Sequence, residues 1–128
     1  MSSKPLWEPP YVYRAEIVGV HDGDTFTARC DVGFSAAIYT TCRMLGINAP
    51  ELKTGQPGKD ATEHLRGLLA KYRIGGTAEV PVVVIKTHRD AREKYGRMLA
   101  EVQGFENGVA VNINDLMVRD GFAVSYMV

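Results

Sequence analysis

Four separated stretches of this chain carry side chains with which chemistry could be done. His21-Asp22-Gly23-Asp24-Thr25 sets two carboxylates on either side of a glycine. Arg43 leads through Gly46-Ile47-Asn48-Ala49-Pro50 to Glu51. A basic run extends from Lys86 to Arg92, and Lys94-Tyr95-Gly96-Arg97 follows it. Together they offer oxygen ligands for a hard cation, two guanidinium groups that match phosphate oxygens, and an isolated carboxylate able to take a proton from water. Metal-assisted cleavage of a phosphodiester needs that combination.

Each stretch also has a plainer reading. Asp-Gly is among the commonest turn pairs, so Asp22 and Asp24 could mark nothing more than a turn. Arg43 sits among Cys42, Met44 and Leu45, where a charge is partly buried and must find a partner. A barrel-lining Arg–Glu ion pair without chemistry would serve it equally well. From Lys86 to Arg97 there are five Lys or Arg and two acids, enough to attract a polyanion modestly or simply to keep a loop solvated. His21 and His88 lack metal-ligand spacing and read as surface residues. His64 lies beside the apolar stripe of a helix and is expected to face solvent. Cys30 and Cys42 read as small apolar strand residues with free thiols.

These side chains must be positioned by strands. Tyr11 to Val20 alternates, with Tyr11, Tyr13, Ala15 and Ile17 on one side and Arg14 and Glu16 on the other. Asp22-Gly23 predicts a tight turn in which glycine takes positive φ. Thr25–Val32 is a second strand, Gly33 a turn and Ala36–Leu45 a third, an antiparallel meander. Residues 52–58 hold Gly55, Pro57 and Gly58 and read as a loop. Ala61, Leu65, Leu68, Leu69 and Tyr72 then form one helical stripe, with Asp60 and Glu63 in its first turn and Gly75-Gly76 as its stop. Glu79–Thr87 and Arg97–Phe105 are further strands, and Pro81 in the former suits an edge. Asn107-Gly108 predicts a hairpin into Val109–Val111. Asn112 caps a short helix, Ile113–Asp120, ended by Gly121. Five strands with one helix inserted between the third and fourth, and a short second helix, fit an α+β, mainly β fold: a small closed barrel of the oligonucleotide-binding (OB) type.

The 128 residues suit a single domain over 11–128, after an N-terminal arm at 1–10 that carries three prolines and no period. Fifteen basic residues balance fifteen acidic ones, so any cationic surface must be local. No apolar run is long enough to span a membrane, and the start does not resemble a secretory signal, so an intracellular location is the expectation.

The order and spacing of the motifs resemble the staphylococcal-nuclease-like (thermonuclease) family. The matching pieces are Asp22-Gly23-Asp24-Thr25, Arg43 with Pro50-Glu51 after it, Tyr95-Gly96-Arg97-Met98-Leu99-Ala100, and Asn112 with Leu116-Met117-Val118 and Gly121-Phe122-Ala123. The resemblance reaches from Tyr11 to Val128. It implies a calcium-dependent endonuclease, or one using another divalent metal, that hydrolyses DNA and/or RNA with low sequence specificity and leaves 3′-phosphate ends. It implies metal ligation by Asp24, Asn48 and the backbone carbonyl of Ala49, with Asp22 supporting the metal shell. Arg43 and Arg97 would grip the scissile phosphate and Glu51 would be the general base. Lys94 and Tyr95 would touch a terminal phosphate, and Tyr126 lies about where family tyrosines stack on a base, with a structural core role the alternative. The expected partner is DNA and/or RNA, with no membrane, and the expected state is a monomer.

The chain departs from the family pattern in two places. Asn48 stands where the family carries an aspartate, which removes one negative charge and should weaken cation affinity. The sequence stops at Val128, where members commonly continue into a further helix, so one barrel face is expected to be less covered. Two rival functions follow from the same residues. One is a non-catalytic nucleic-acid-binding OB-fold module. The other is an assembly module in which the arginines and Glu51 are internal ion pairs.

Overall fold

The structure is a computed structural model and describes residues 11–88 and 97–126. In chain order it contains β1 (Val12–Asp22), β2 (Thr25–Gly33), β3 (Ala36–Met44), the short β4 (Ile47–Asn48) and a 3-10 turn at Leu52–Thr54. Then come α1 (Gln56–Lys71), the short β5 (Gly75–Gly76), β6 (Pro81–His88), β7 (Met98–Glu106), β8 (Val109–Asn112), α2 (Ile113–Arg119) and β9 (Val124–Ser125).

Strands β1, β2 and β3 form the expected antiparallel meander. On its other edge β1 pairs antiparallel with β6. Two pairings involving β7 close the sheet: antiparallel to β6, and parallel to β3 through Cys42↔Met98, Arg43↔Leu99 and Met44↔Ala100. The result is a closed five-stranded barrel with two helices, of the OB type. Closure removes exposed sheet edges, and the sequence shows why it works. Ala15 and Ile17, Phe26, Ala28 and Cys30, Cys42 and Met44, Val83 and Ile85, and Ala100 and Val102 all point inward and are buried. The period-2 alternation therefore puts an apolar wall on every strand.

The stripe Ala61, Leu65, Leu68, Leu69 and Tyr72 is buried against this core, as its spacing predicts. Helix α1 nevertheless begins at Gln56, inside the stretch read as loop. Proline is tolerated in the first turn because its missing N–H would have no helical partner there. Asp60 and Glu63 consequently lie beyond the first turn, which holds no acidic residue. Nor do Gly75 and Gly76 stop the helix; it ends at Lys71 with Tyr72 as cap, and the glycines pair with β6 as β5. Asn112 caps α2 as expected, its side chain accepting from the Asp115 N–H at 3.0 Å. Asn107 and Gly108 take positive φ at the β7–β8 hairpin.

Buried Asn114 on α2 ties the barrel seam. Its Oδ1 accepts from the Val102 N–H at 2.9 Å, and its Nδ2 donates to the carbonyls of Leu45 and Ala100 at 2.9 and 3.0 Å. That one side chain joins the end of β3, the middle of β7 and α2. It holds in place the chain that leaves β3 toward Asn48 and Glu51. The N-terminal arm at 1–10 lies outside the described residues, and no described helix is long and apolar enough to cross a membrane.

Candidate active site

The β1–β2 turn, the end of β3 and the segment after it meet at one end of the barrel. Gly23 and Asp24 are the two turn residues between the paired Asp22 and Thr25. Gly23 is not at positive φ, contrary to the turn reading. It is needed for space: a Cβ there would lie 2.7 Å from the Ala61 Cβ and 2.9 Å from the Ala49 Cβ. Glycine lets the turn press against both α1 and the segment that bears Ala49.

Asp24 is buried, and both its carboxylate oxygens are engaged. Oδ1 accepts from the Thr25 hydroxyl at 2.8 Å and Oδ2 from the Ala49 N–H at 2.8 Å. Arg43 Nη1 lies 3.2 Å from the same Oδ2. The guanidinium then reaches the next segment: Nη1 donates to the Ile47 carbonyl at 3.2 Å and Nη2 to Asn48 Oδ1 at 3.1 Å. The Tyr126 ring faces this guanidinium at 5.9 Å, within cation–π range, and its backbone N–H donates to Gly46. Arg43 therefore finds the partner that its partly buried position demands, but the partner is Asp24 and not Glu51.

Asp22 Oδ1 accepts from the Leu52 N–H at 2.6 Å, which fastens the β1–β2 turn to the residue after Glu51. The Glu51 carbonyl receives the Thr54 N–H and hydroxyl. It also lies where a Cβ on Gly58 would come within 2.0 Å of it. Helix α1 can approach this turn only because Gly58 has no side chain. The Glu51 carboxylate is exposed, with Lys53 Nζ 3.2 Å away.

Among the candidate residues, then, Asp24, Arg43, Asn48, Ala49 and Tyr126 share direct contacts, while Asp22 and Glu51 frame the adjoining turn. Ala49 meets Asp24 through its N–H rather than its carbonyl. Arg97 is half-buried and precedes β7. The register Cys42↔Met98 and Arg43↔Leu99 sets it alongside Thr41, and alternation places it on the same strand face as Arg43. Lys94 and Tyr95 lie outside the described residues.

The side-chain donors available to a cation are hard oxygens, from Asp24 and Asn48, held on the two terminal nitrogens of one guanidinium. They fit a hard divalent cation in kind. Among the described residues no group of three or more His, Cys, Asp or Glu gathers as a metal site. The donor set is therefore poor in carboxylate, with Asn48 contributing an uncharged amide oxygen.

Sequence reasoning missed the Thr25 hydroxyl, Asn114 and the packing roles of Gly23 and Gly58. A glycine just inside a helix start is the one signal that could have pointed to Gly58. Two histidine readings are also corrected. His64 does not simply face solvent: its Nε2 is 2.8 Å from Asp120 Oδ2, and its ring stacks on Phe122 at 4.0 Å. His88 ends β6, half-buried, 2.8 Å from Glu101 Oε2. Cys30 and Cys42 are buried free thiols, as expected.

A sequence profile described as "Staphylococcal nuclease homologue" matches residues 41–128. That span holds Arg43, Asn48, Glu51 and Arg97 and leaves out Asp22 and Asp24. No curated protein matches the chain. Among solved structures, the human TDRD1 extended Tudor domain, in complex with a symmetrically dimethylated peptide, is similar over 96% of this chain and 69% of its own. The identity is 11% and the TM-score 0.48.

Proposed function

The chain belongs to the staphylococcal nuclease homologue family, and from that premise we propose a divalent-metal-dependent endonuclease acting on DNA and/or RNA with low sequence specificity. The observation that carries this reading is the joining of Asp24, Arg43 and Asn48 in one bonded cluster at the barrel end, beside the turn that bears Glu51. Family membership alone supports the coarser statement, a nuclease or nucleic-acid-binding module.

In the proposed reaction Arg43 and Arg97 hold the oxygens of the scissile phosphate, where planar guanidinium groups bind in two-pronged fashion. Glu51, whose carboxylate is exposed, takes a proton from the attacking water. Attack is in line with the departing 5′ oxygen, leaving a 3′-phosphate. Asp24, Asn48 and the Ala49 carbonyl would hold calcium or a similar cation, with Asp22 bracing the turn. The cation would offset negative charge on the phosphoryl oxygens. Asp24, Asn48 and the Ile47 carbonyl engage Nη1 and one N–H of Nη2, and phosphate would be met by the remaining N–H groups of Arg43. Lys94, Tyr95 and Tyr126 are proposed contacts to phosphate and base. Because the contacts named are mostly to phosphate, discrimination between sequences should be low.

Plasmid nicking with and without added calcium, for wild type and Glu51→Gln, tests the reading. The variant should lose about 10²–10⁴-fold in rate, the usual worth of a general base. Equal cutting by both proteins would remove Glu51 from the mechanism. Oligonucleotide binding without cutting by wild type would leave the non-catalytic binding module standing.

A further inference from the structure

Barrel closure leaves one stretch of β3 uncovered. Parallel pairing with β7 reaches only from Cys42 to Met44, whereas the residues from Ala36 to Thr41 continue beyond that seam with β2 on one side. The Met44 N–H donates to the Asp24 carbonyl and the Leu45 N–H to the Ala100 carbonyl. Even-numbered residues of β3 therefore bond to β2, and odd-numbered ones turn their N–H and C=O groups the other way. Near the seam that direction belongs to β7. Further back, Ala37 and Tyr39 have no backbone partner on that side among the described residues.

This edge lacks the usual guards. From Ala36 to Cys42 there is no proline and no charged residue, and side chains are open on both faces: Ile38 is 56% exposed and Tyr39 66%. At the adjoining turn Phe34 is fully exposed, at 104%. Phe34 and Ser35 both take positive φ, 55° and 59°, in a two-residue turn of the kind that normally uses Asn-Gly or Gly-Gly. Monomeric proteins blunt such an edge with charge, proline or a bulge. Strain borne by a bare aromatic at its end points to a task for the ring.

We propose that a second copy of this chain covers the edge, with the two β3 strands joined antiparallel about a two-fold axis at Ile38. Ala37 and Tyr39 are the residues with outward groups to spare. This register sets Ala37 of each copy opposite Tyr39 of the other, so their N–H and C=O groups pair across the axis. A large side chain then meets a small one. Ile38 meets its own counterpart at the close spacing of a non-hydrogen-bonded pair, about 4.5 Å between Cα atoms. Because the edge carries no charge, self-pairing brings no like charges together. Phe34, Ile38 and Tyr39, with the backbone between them, offer about 500 Å² per copy and hence about 1,000 Å² in all, the least that a specific interface needs. The dimer is accordingly weak and dissociates on dilution. It replaces the monomer expected from the sequence and does not depend on the nuclease reading.

The test is sedimentation equilibrium of the full chain over a range of protein concentrations. Wild type should pass from monomer to dimer as concentration rises. Ile38→Lys, which sets two ammonium groups face to face, should stay monomeric throughout. Ala37→Pro should do the same, since it removes an outward N–H and leaves the ladder with β2 whole. Both variants should keep the wild-type urea midpoint when compared in the dilute, monomeric range. Ile38→Cys should cross-link to a covalent dimer under mild oxidation, because a Cα separation near 4.5 Å suits a disulfide. Wild type, whose Cys30 and Cys42 are buried, should not. A wild-type monomer at every concentration would overturn the proposal, as would a dimer undiminished in both Ile38→Lys and Ala37→Pro. A wild-type dimer whose Ile38→Cys form resists cross-linking would overturn the axis at Ile38.

Discussion

Arg43 holds a buried carboxylate and an exposed amide at once, and its neighbours make its loss predictable. In Arg43→Ala, Asp24 would keep the Thr25 hydroxyl and the Ala49 N–H but lose its counter-charge. The expected cost is about 2–4 kcal/mol, at or below the range for one broken buried pair because Arg43 is only partly buried, read from urea unfolding. Arg43→Lys should recover only part of it, since an ammonium cannot serve Asp24 and Asn48 through two fixed prongs. Asn48→Asp adds the missing carboxylate, and calcium titration should show binding tightened about tenfold or more; an unchanged titration would count against Asn48 as a ligand. Burial pushes the Cys42 thiol up to about 12, from 9.0, with Cys30 nearby adding to the shift. The unfolded thiol ionises first, so this contribution to stability is intact below pH 9 and is lost as pH rises toward 12. Cys42→Ala should accordingly flatten the alkaline fall in stability, and native Cys42 should resist alkylation at neutral pH until the protein unfolds. Arg43 was legible as a residue that needs a partner, and Asp24 as a turn residue or cation ligand. That they partner each other was not, because Asp24 lies in the β1–β2 turn and Arg43 on β3, and nothing local pairs them.

Helix α1 and its approach to the Glu51 turn show how an element sets the site. Gly58 reads as a breaker, yet it lies in the first helical turn against the Glu51 carbonyl. Gly58→Ala should favour the isolated helix slightly and still destabilise the protein, because overpacking of this kind costs about 1–3 kcal/mol. The companion outcome is reduced cleavage with Glu51 itself untouched, measured by nicking alongside thermal unfolding. Asn114 plays the corresponding part for the barrel seam. Asn114→Ala removes the partner of the Val102 N–H and a donor to the Leu45 carbonyl, while the Ala100 carbonyl keeps the Leu45 N–H, and a loss of about 3 kcal/mol is expected on denaturant titration. Strand positions and the apolar stripe of α1 were readable because period-2 and helical spacing act within one segment. Helix onset was misread because Pro57 and Gly58 have the same composition in a loop as in a tightly packed first turn.

Barrel closure brings α1 and α2 together as well, and there a titratable contact reports on the whole assembly. Hydrogen bonds from His64 and then Arg119 hold the Asp120 carboxyl below its ordinary 3.8. A lowered folded value means that this group adds stability above the unfolded pKa and loses it as pH falls through the folded one. Wild type should therefore exceed Asp120→Asn in urea midpoint near neutral pH, and the gap should narrow below pH 4. A constant gap across that range would assign the contact to packing alone, through the stacked His64 and Phe122 rings. The mainly β barrel, its inserted helix, the capped second helix and the family motifs are all written in short-range patterns of the chain. Which donor meets which acceptor is not: the parallel β3–β7 seam and the Arg43 bridge from Asp24 to Asn48 depend on segments that no local pattern pairs. Spacing along a chain encodes period and turn chemistry, whereas convergence of side chains depends on how the closed sheet twists and registers its strands.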